Sequence, residues 1–107
     1  MLPVVQQIAI EYKNALTEIY GSDLAELILF GSYARDDQHK ESDIDFAVVF
    51  RNPDIRPFAE IFKTSPVASE LSLKYGLIIS TLPVSLHKKD TSMQAVYRNI
   101  RKEGIII

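Results

Sequence analysis

Asp43 and Asp45 flank Ile44 in the stretch Ser42-Asp43-Ile44-Asp45-Phe46. Alternation along an extended chain puts both carboxylates on one face and Ile44 on the other. Two like charges so placed repel each other, and a divalent cation removes the conflict. Mg²⁺ suits such a pair because it takes a few carboxylates together with substrate phosphates. An isolated Asp-x-Asp is equally the pattern of two solvated acids at a strand's edge, so the pair alone assigns nothing. Upstream, Gly31-Ser32 directly follows the apolar run Leu27-Ile28-Leu29-Phe30. A glycine there lets backbone approach a ligand closely, and free N–H groups at a helix start attract phosphate oxygens. Gly-Ser pairs are also ordinary turn residues. The separation is the stronger signal: Tyr33 to Ser42 is enough chain for a short helix and a loop that returns the carboxylates beside the Gly-Ser turn. A phosphate cradle beside a cation-binding pair is what phosphoryl or nucleotidyl transfer requires.

The elements that must position these groups follow from patterning. Val5, Ile8, Tyr12, Ala15, Leu16 and Ile19 recur at helical spacing and predict an amphipathic helix over Pro3 to Tyr20, with Gly21 as its stop. Leu27 to Phe30 and Ile44 to Phe50 predict buried strands, with a polar loop at Asp36 to Glu41 between them. After the turn at Asn52-Pro53-Asp54, residues 57–75 predict a helix interrupted near Ser65-Pro66. Leu77 to Val84 predicts a third strand, ended at or just after Pro83. Asp90 or Thr91 is the expected cap of a last helix through Lys102, with Met93, Val96, Tyr97 and Ile100 as its apolar face. Gly104 stops it, and Ile105-Ile106-Ile107 is an apolar tail. The order α-β-(short α)-β-α-β-α signals an α/β or α+β sheet carrying helices.

Gly31-Ser32-Tyr33-Ala34-Arg35 followed by Ser42-Asp43-Ile44-Asp45-Phe46 resembles the signature of the minimal nucleotidyltransferases of the DNA polymerase beta superfamily. The leading helix and the closing Tyr97-Arg98-Asn99-Ile100-Arg101-Lys102-Glu103-Gly104 resemble small members as well. The resemblance implies one nucleotidyltransferase domain over residues 1–107, with a mixed three-stranded sheet (strands near 27–30, 43–50 and 77–83) flanked by helices. It implies Mg²⁺ and a nucleoside triphosphate, usually ATP. By position, Gly31 and Ser32 would hold the triphosphate, and Asp43 and Asp45 would be the catalytic metal ligands. Arg35 could reach a phosphate or be a solvated helix arginine. Small stand-alone members are commonly antitoxins paired with a helical HEPN-type toxin, and some transfer AMP to a tyrosine of that partner. Two departures stand out. Asp36 replaces the usual glycine after Ala-Arg, and Asp tolerates the left-handed backbone better than most residues. The third carboxylate of the family falls near Ser80, and Leu77 to Val84 contains no acid. Loss of a general base there slows chemistry by about 10²–10⁴. Two readings therefore stay open: an adenylylating antitoxin, or a degenerate member that neutralises its partner by binding. Transfer to a small molecule or an RNA end is a third.

Length and composition narrow the classes further. The 107 residues, 12.1 kDa, argue for one domain. A net charge of −2 excludes a surface built to neutralise nucleic-acid phosphates, so no direct duplex binding is expected. Zero cysteines exclude a disulfide framework and a thiolate site. No apolar run spans a membrane and no signal peptide is recognisable, so a cytoplasmic protein is expected. Residues 31–50 carry two basic and five acidic side chains, whereas residues 84–103 carry five basic and two acidic. The acidic segment suits a cation, and the basic one suits triphosphate steering or an acidic partner. His39 and His87 read as solvated loop residues, and the five tyrosines as packing residues rather than a stacking platform. A chain this short has no separate acceptor-binding domain. A heteromeric complex or a homo-oligomer is expected to supply that wall.

Overall fold

All residues, 1–107, are described by a computed structural model. Helix α1 (Pro3–Tyr20) leads through a 3₁₀ turn at Gly21–Asp23 into strand β1 (Leu24–Phe30). A four-residue helix α2 (Ser32–Arg35) and a loop connect it to β2 (Ile44–Phe50). Helix α3 (Pro57–Tyr75) crosses to β3 (Ile79–Ser85), and α4 (Leu86–Thr91), α5 (Ala95–Glu103) and β4 (Ile105–Ile106) close the chain. The sheet order is β3-β2-β1-β4. Strands β1 and β2 are antiparallel, β2 and β3 parallel, and β1 and β4 antiparallel. The fold is thus a mixed sheet flanked by helices.

Alternation along β2 divides the core. Ile44, Phe46, Val48 and Phe50 are fully buried on one face, among Val5, Ile8, Tyr12 and Leu16 of α1 and Leu71 of α3. Ala47 and Val49 point the other way and pack with Ile28, Val84, Tyr97 and Ile100. Tyr12 meets Phe46 edge-on at 5.5 Å, and Tyr20 meets Phe50 at 4.7 Å. The tyrosines are packing residues here, worth about 0.5–1.5 kcal/mol per aromatic pair beyond area burial. On the face opposite α1, the alternation that buries Ala47 and Val49 brings Asp45 and then Asp43 toward the N-terminal end of the strand.

Four sequence expectations need correction. The sheet has four strands, because the apolar tail Ile105–Ile106 pairs with Ile28 and Leu29 of β1. Pro66 does not interrupt α3, which runs unbroken from Pro57 to Tyr75. Proline removes one helical hydrogen bond, but Thr64, Val67, Ala68 and Leu71 pack the helix onto the core and outweigh that cost. Strand β3 begins at Ile79 rather than Leu77 and ends at Ser85, soon after Pro83 as expected; the proline is tolerated inside it because β3 lies at the sheet's edge. The last helix is two: the Ser85 hydroxyl caps α4 by accepting from the Lys88 N–H at 3.1 Å, and the chain breaks at Ser92 before α5. Asp90 and Thr91 are therefore inside α4 rather than at a cap. Met93 is 74% exposed, leaving Tyr97 and Ile100 as the buried face of α5.

Candidate active site

The site begins at the end of β1. Phe30 pairs with Asp45 across the antiparallel ladder, so the chain leaves β1 directly beside that carboxylate. Gly31 turns it there with φ 76° and ψ −157°, a region essentially reserved for glycine. The reason for glycine is also local. A Cβ at Gly31 would lie 2.3 Å from Asp45 Oδ2 and 3.2 Å from its Cγ. Backbone and carboxylate are in closer approach than any side chain permits. Ser32, half-buried, opens α2, whose N–H groups at Ala34 and Arg35 turn back to the Gly31 carbonyl at 3.1 and 3.2 Å.

Asp36 ends α2 with φ 58° and ψ 30°, and it is the only non-glycine residue with positive φ. The left-handed turn expected at this position is made, with Asp in place of glycine. From there the loop is shaped by short polar contacts. The Asp37 N–H donates to the Ser32 carbonyl at 3.0 Å, and the His39 N–H donates to Ser42 Oγ at 2.9 Å. His39 is exposed, and its Nδ1 accepts from the Glu41 N–H at 3.2 Å. His87 is exposed too, though it sits in α4 rather than in a loop.

Asp43 is exposed and Asp45 half-buried, on either side of the fully buried Ile44. Burial pushes the Asp45 carboxyl above the usual carboxylate range, and the negative charge of Asp43 pushes it further, while Arg35 pulls it back. Two repelling carboxylates, one partly desolvated, are chemically ready for a divalent cation. The other in-register neighbour of Asp45 is Ser80 on β3. Paired residues of parallel strands point to the same face, and Ser80 is exposed there. Ser80, the residue on which the resemblance puts the third carboxylate, is thus the β3 partner of Asp45. No group of three or more His, Asp or Glu side chains is arranged to hold a metal.

Arg35 is engaged on its own account. Its Nε donates to Asp37 Oδ2 at 3.0 Å and its Nη1 to Glu103 Oε1 at 2.9 Å. This ties the Gly-Ser turn to the end of α5. Asp37 is a near neighbour in the chain, but the Glu103 partner was not legible in the sequence, since it lies 68 residues away. None of the surface cavities is lined by Gly31, Ser32, Asp43, Asp45 or Ser80. A depression of about 320 Å³ between Tyr20, Asp54 and Lys63, for example, lies near the opposite end of β2. Asp43 and Ser80 are exposed, so the candidate site is an open shelf. No helix is long and apolar enough to cross a membrane.

Comparison with known proteins gives one consistent answer. A family model described as a nucleotidyltransferase domain matches residues 9–107. A Methanocaldococcus jannaschii protein provisionally named protein adenylyltransferase MJ0604 is 34% identical over 99 residues, covering 91% of each chain. A second from the same organism, provisionally named protein adenylyltransferase MJ0141, is 38% identical over 73 residues, covering 67% of this chain and 71% of that protein. A crystal structure of a toxin–antitoxin with AMP-PNP superimposes with a TM-score of 0.58 at 24% identity, covering 89% of this chain and 68% of that one. A Sulfolobus solfataricus structure assigned as a nucleotidyltransferase gives 0.56 at 21% identity, covering 99% of this chain and 86% of that one. At these identities the two structures speak to the fold alone.

Proposed function

The chain belongs to the nucleotidyltransferase domain family, and on that premise we propose that it transfers AMP from ATP to a tyrosine hydroxyl of a helical HEPN-type toxin, acting as the antitoxin. The observation that carries this reading is the contact between Gly31 and Asp45. It sets a glycine turn against Asp45 of the carboxylate pair, which neither motif requires separately. The provisional protein adenylyltransferase names of the relatives support a protein acceptor, and the toxin–antitoxin neighbours support a toxin partner.

Each residue has a role in this reading. Gly31 and Ser32 present backbone and hydroxyl to the triphosphate, whose oxygens favour free N–H groups at a helix start. Arg35, already holding the turn against α5, adds positive charge beside the phosphates. Asp43 and Asp45 fit a divalent cation and would hold Mg²⁺. Bound there, it would neutralise triphosphate charge and polarise the α-phosphoryl group. The acceptor oxygen forms a bond to the α-phosphorus, the bond to the pyrophosphate oxygen breaks, and the hydroxyl proton passes to solvent. Positioning carries most of the catalysis in such a reaction.

The test is incubation with α-labelled ATP, Mg²⁺ and the product of the neighbouring gene. Wild-type protein should label that product, and the double variant Asp43→Asn/Asp45→Asn should not. Equal labelling by both sinks the assignment. A second reading, neutralisation by binding alone, rests on the serine at position 80 and the two-carboxylate donor set. It predicts that the double variant still silences the toxin.

A further inference from the structure

We infer that the carboxylate pair holds one divalent cation rather than two, and that Ser80 is the residue that sets this number. The inference rests on the reading of Asp43 and Asp45 as cation ligands and goes beyond it. Two-metal phosphoryl-transfer sites keep their ions roughly 3.5–4 Å apart and need carboxylates enough to bridge and flank them. The sheet fixes what can stand beside Asp45. Its in-register neighbours are Phe30 on β1 and Ser80 on β3. Phe30 is apolar and half-buried against the second core cluster. Ser80 offers a neutral hydroxyl, a poor ligand for a hard dication compared with a carboxylate. Along β2 the next residue on the same face is Ala47, which is fully buried. On the other side of the pair the face ends, because Asp43 already precedes the strand.

The loop acids Asp36 and Glu41 are exposed, and no group of three or more His, Asp or Glu side chains is arranged to hold a metal. Asp37 is held by Arg35, and Glu103 of α5 is held by the same guanidinium. The donor set therefore closes at two carboxylates, and substrate phosphate completes the shell of a single ion. Ser80 is exposed and lies on the shared face, so a carboxylate placed there would meet Asp45 without displacing core.

The probe is Mn²⁺, titrated by electron paramagnetic resonance in the presence of saturating non-hydrolysable ATP analogue. Wild-type protein should bind one Mn²⁺ per ternary complex and give an uncoupled spectrum. Ser80→Asp should bind two and show the spin coupling of a close pair. Ser80→Ala should remain at one, which separates the gain of a ligand from any loss of the serine. Two ions in wild-type protein, or one in Ser80→Asp, overturn the inference. No protein-bound ion in wild type overturns instead the reading of the pair as a cation site. Thermal melting gives a second readout. Three crowded carboxylates should lower the midpoint of Ser80→Asp in chelator, and Mn²⁺ should restore it. A midpoint indifferent to both counts against the inference.

Discussion

Replacing Gly31 with alanine separates two costs that the structure superimposes at one residue. The first is backbone. Gly31, at φ 76° and ψ −157°, sits where alanine is strained by about 1–3 kcal/mol. The second is steric. The new Cβ would stand 2.3 Å from Asp45 Oδ2, whereas ordinary contact begins at 3.4 Å, so the carboxylate must retreat by about 1 Å. Asp45 can swing away at little cost to the fold, because its oxygen is the free end of a side chain. It cannot do so and remain beside Asp43. Gly21 supplies the control. Its φ of 55° and ψ of −130° are comparably strained, and an added Cβ there meets nothing within 4 Å. Gly21→Ala and Gly31→Ala should therefore lose similar stability, about 1–3 kcal/mol. Each kcal/mol lowers Tm by roughly 4–8 °C in a chain of this size. Only Gly31→Ala should lose transfer, by about 10²-fold for a 1 Å misplacement, measured well below its midpoint with saturating ATP and Mg²⁺. Equal transfer rates for the two variants would falsify the claim that glycine is there to admit Asp45.

Three other substitutions probe the same frame. Asp45→Asn should raise Tm in chelator while abolishing transfer, because burial and Asp43 both penalise the charged carboxylate in the folded state; a lower Tm would remove the conflict on which cation binding is argued. Asp36→Gly should stabilise the chain by about 0.5–1 kcal/mol in denaturant melts. The gain is less than the full left-handed cost because Asp visits that region readily and glycine adds unfolded-state entropy. An unchanged or lower denaturant midpoint would show that Asp36 is not strained. Glu11 accepts from Lys74 at 2.7 Å and from the Tyr75 hydroxyl, and these hydrogen bonds hold its carboxyl below the usual range. A depressed carboxylate stabilises the fold above its unfolded pKa and loses that contribution as pH falls through the folded one. The acid limb of a Tm-against-pH curve should accordingly flatten in Glu11→Gln, and identical limbs in the two proteins would contradict the ion pair's role.

How much of this was legible in the sequence depends on how local the cause is. Helix α1 and strand β2 were readable to the residue, because their apolar periodicity is uninterrupted. The left-handed turn at Asp36 was expected from the resemblance, where Asp stands in place of the usual glycine and tolerates that backbone. Proline was the misleading signal at Pro66, which lies in a helix whose other side is anchored in the core, so neighbours set the outcome there. The pairing of Ile105–Ile106 with β1, and of Arg35 with Glu103, joins residues far apart in the chain. No window of sequence contains them.

The position of Ser80 is the instructive intermediate. The resemblance puts the family's third carboxylate near Ser80, and in the β2–β3 register Ser80 is the partner of Asp45. The rest of the shelf has no such code, because it is defined by what does not cover it. Asp43 and Ser80 face outward, and no cavity closes over them. A reacting triphosphate needs water excluded and its acceptor aligned, and an open shelf does neither. On the proposed function the acceptor brings the closing wall, so its docking is part of catalysis rather than a preliminary to it. Variants on the docking surface should then depress kcat as well as raise KM, whereas a self-sufficient site would show the effect in KM alone.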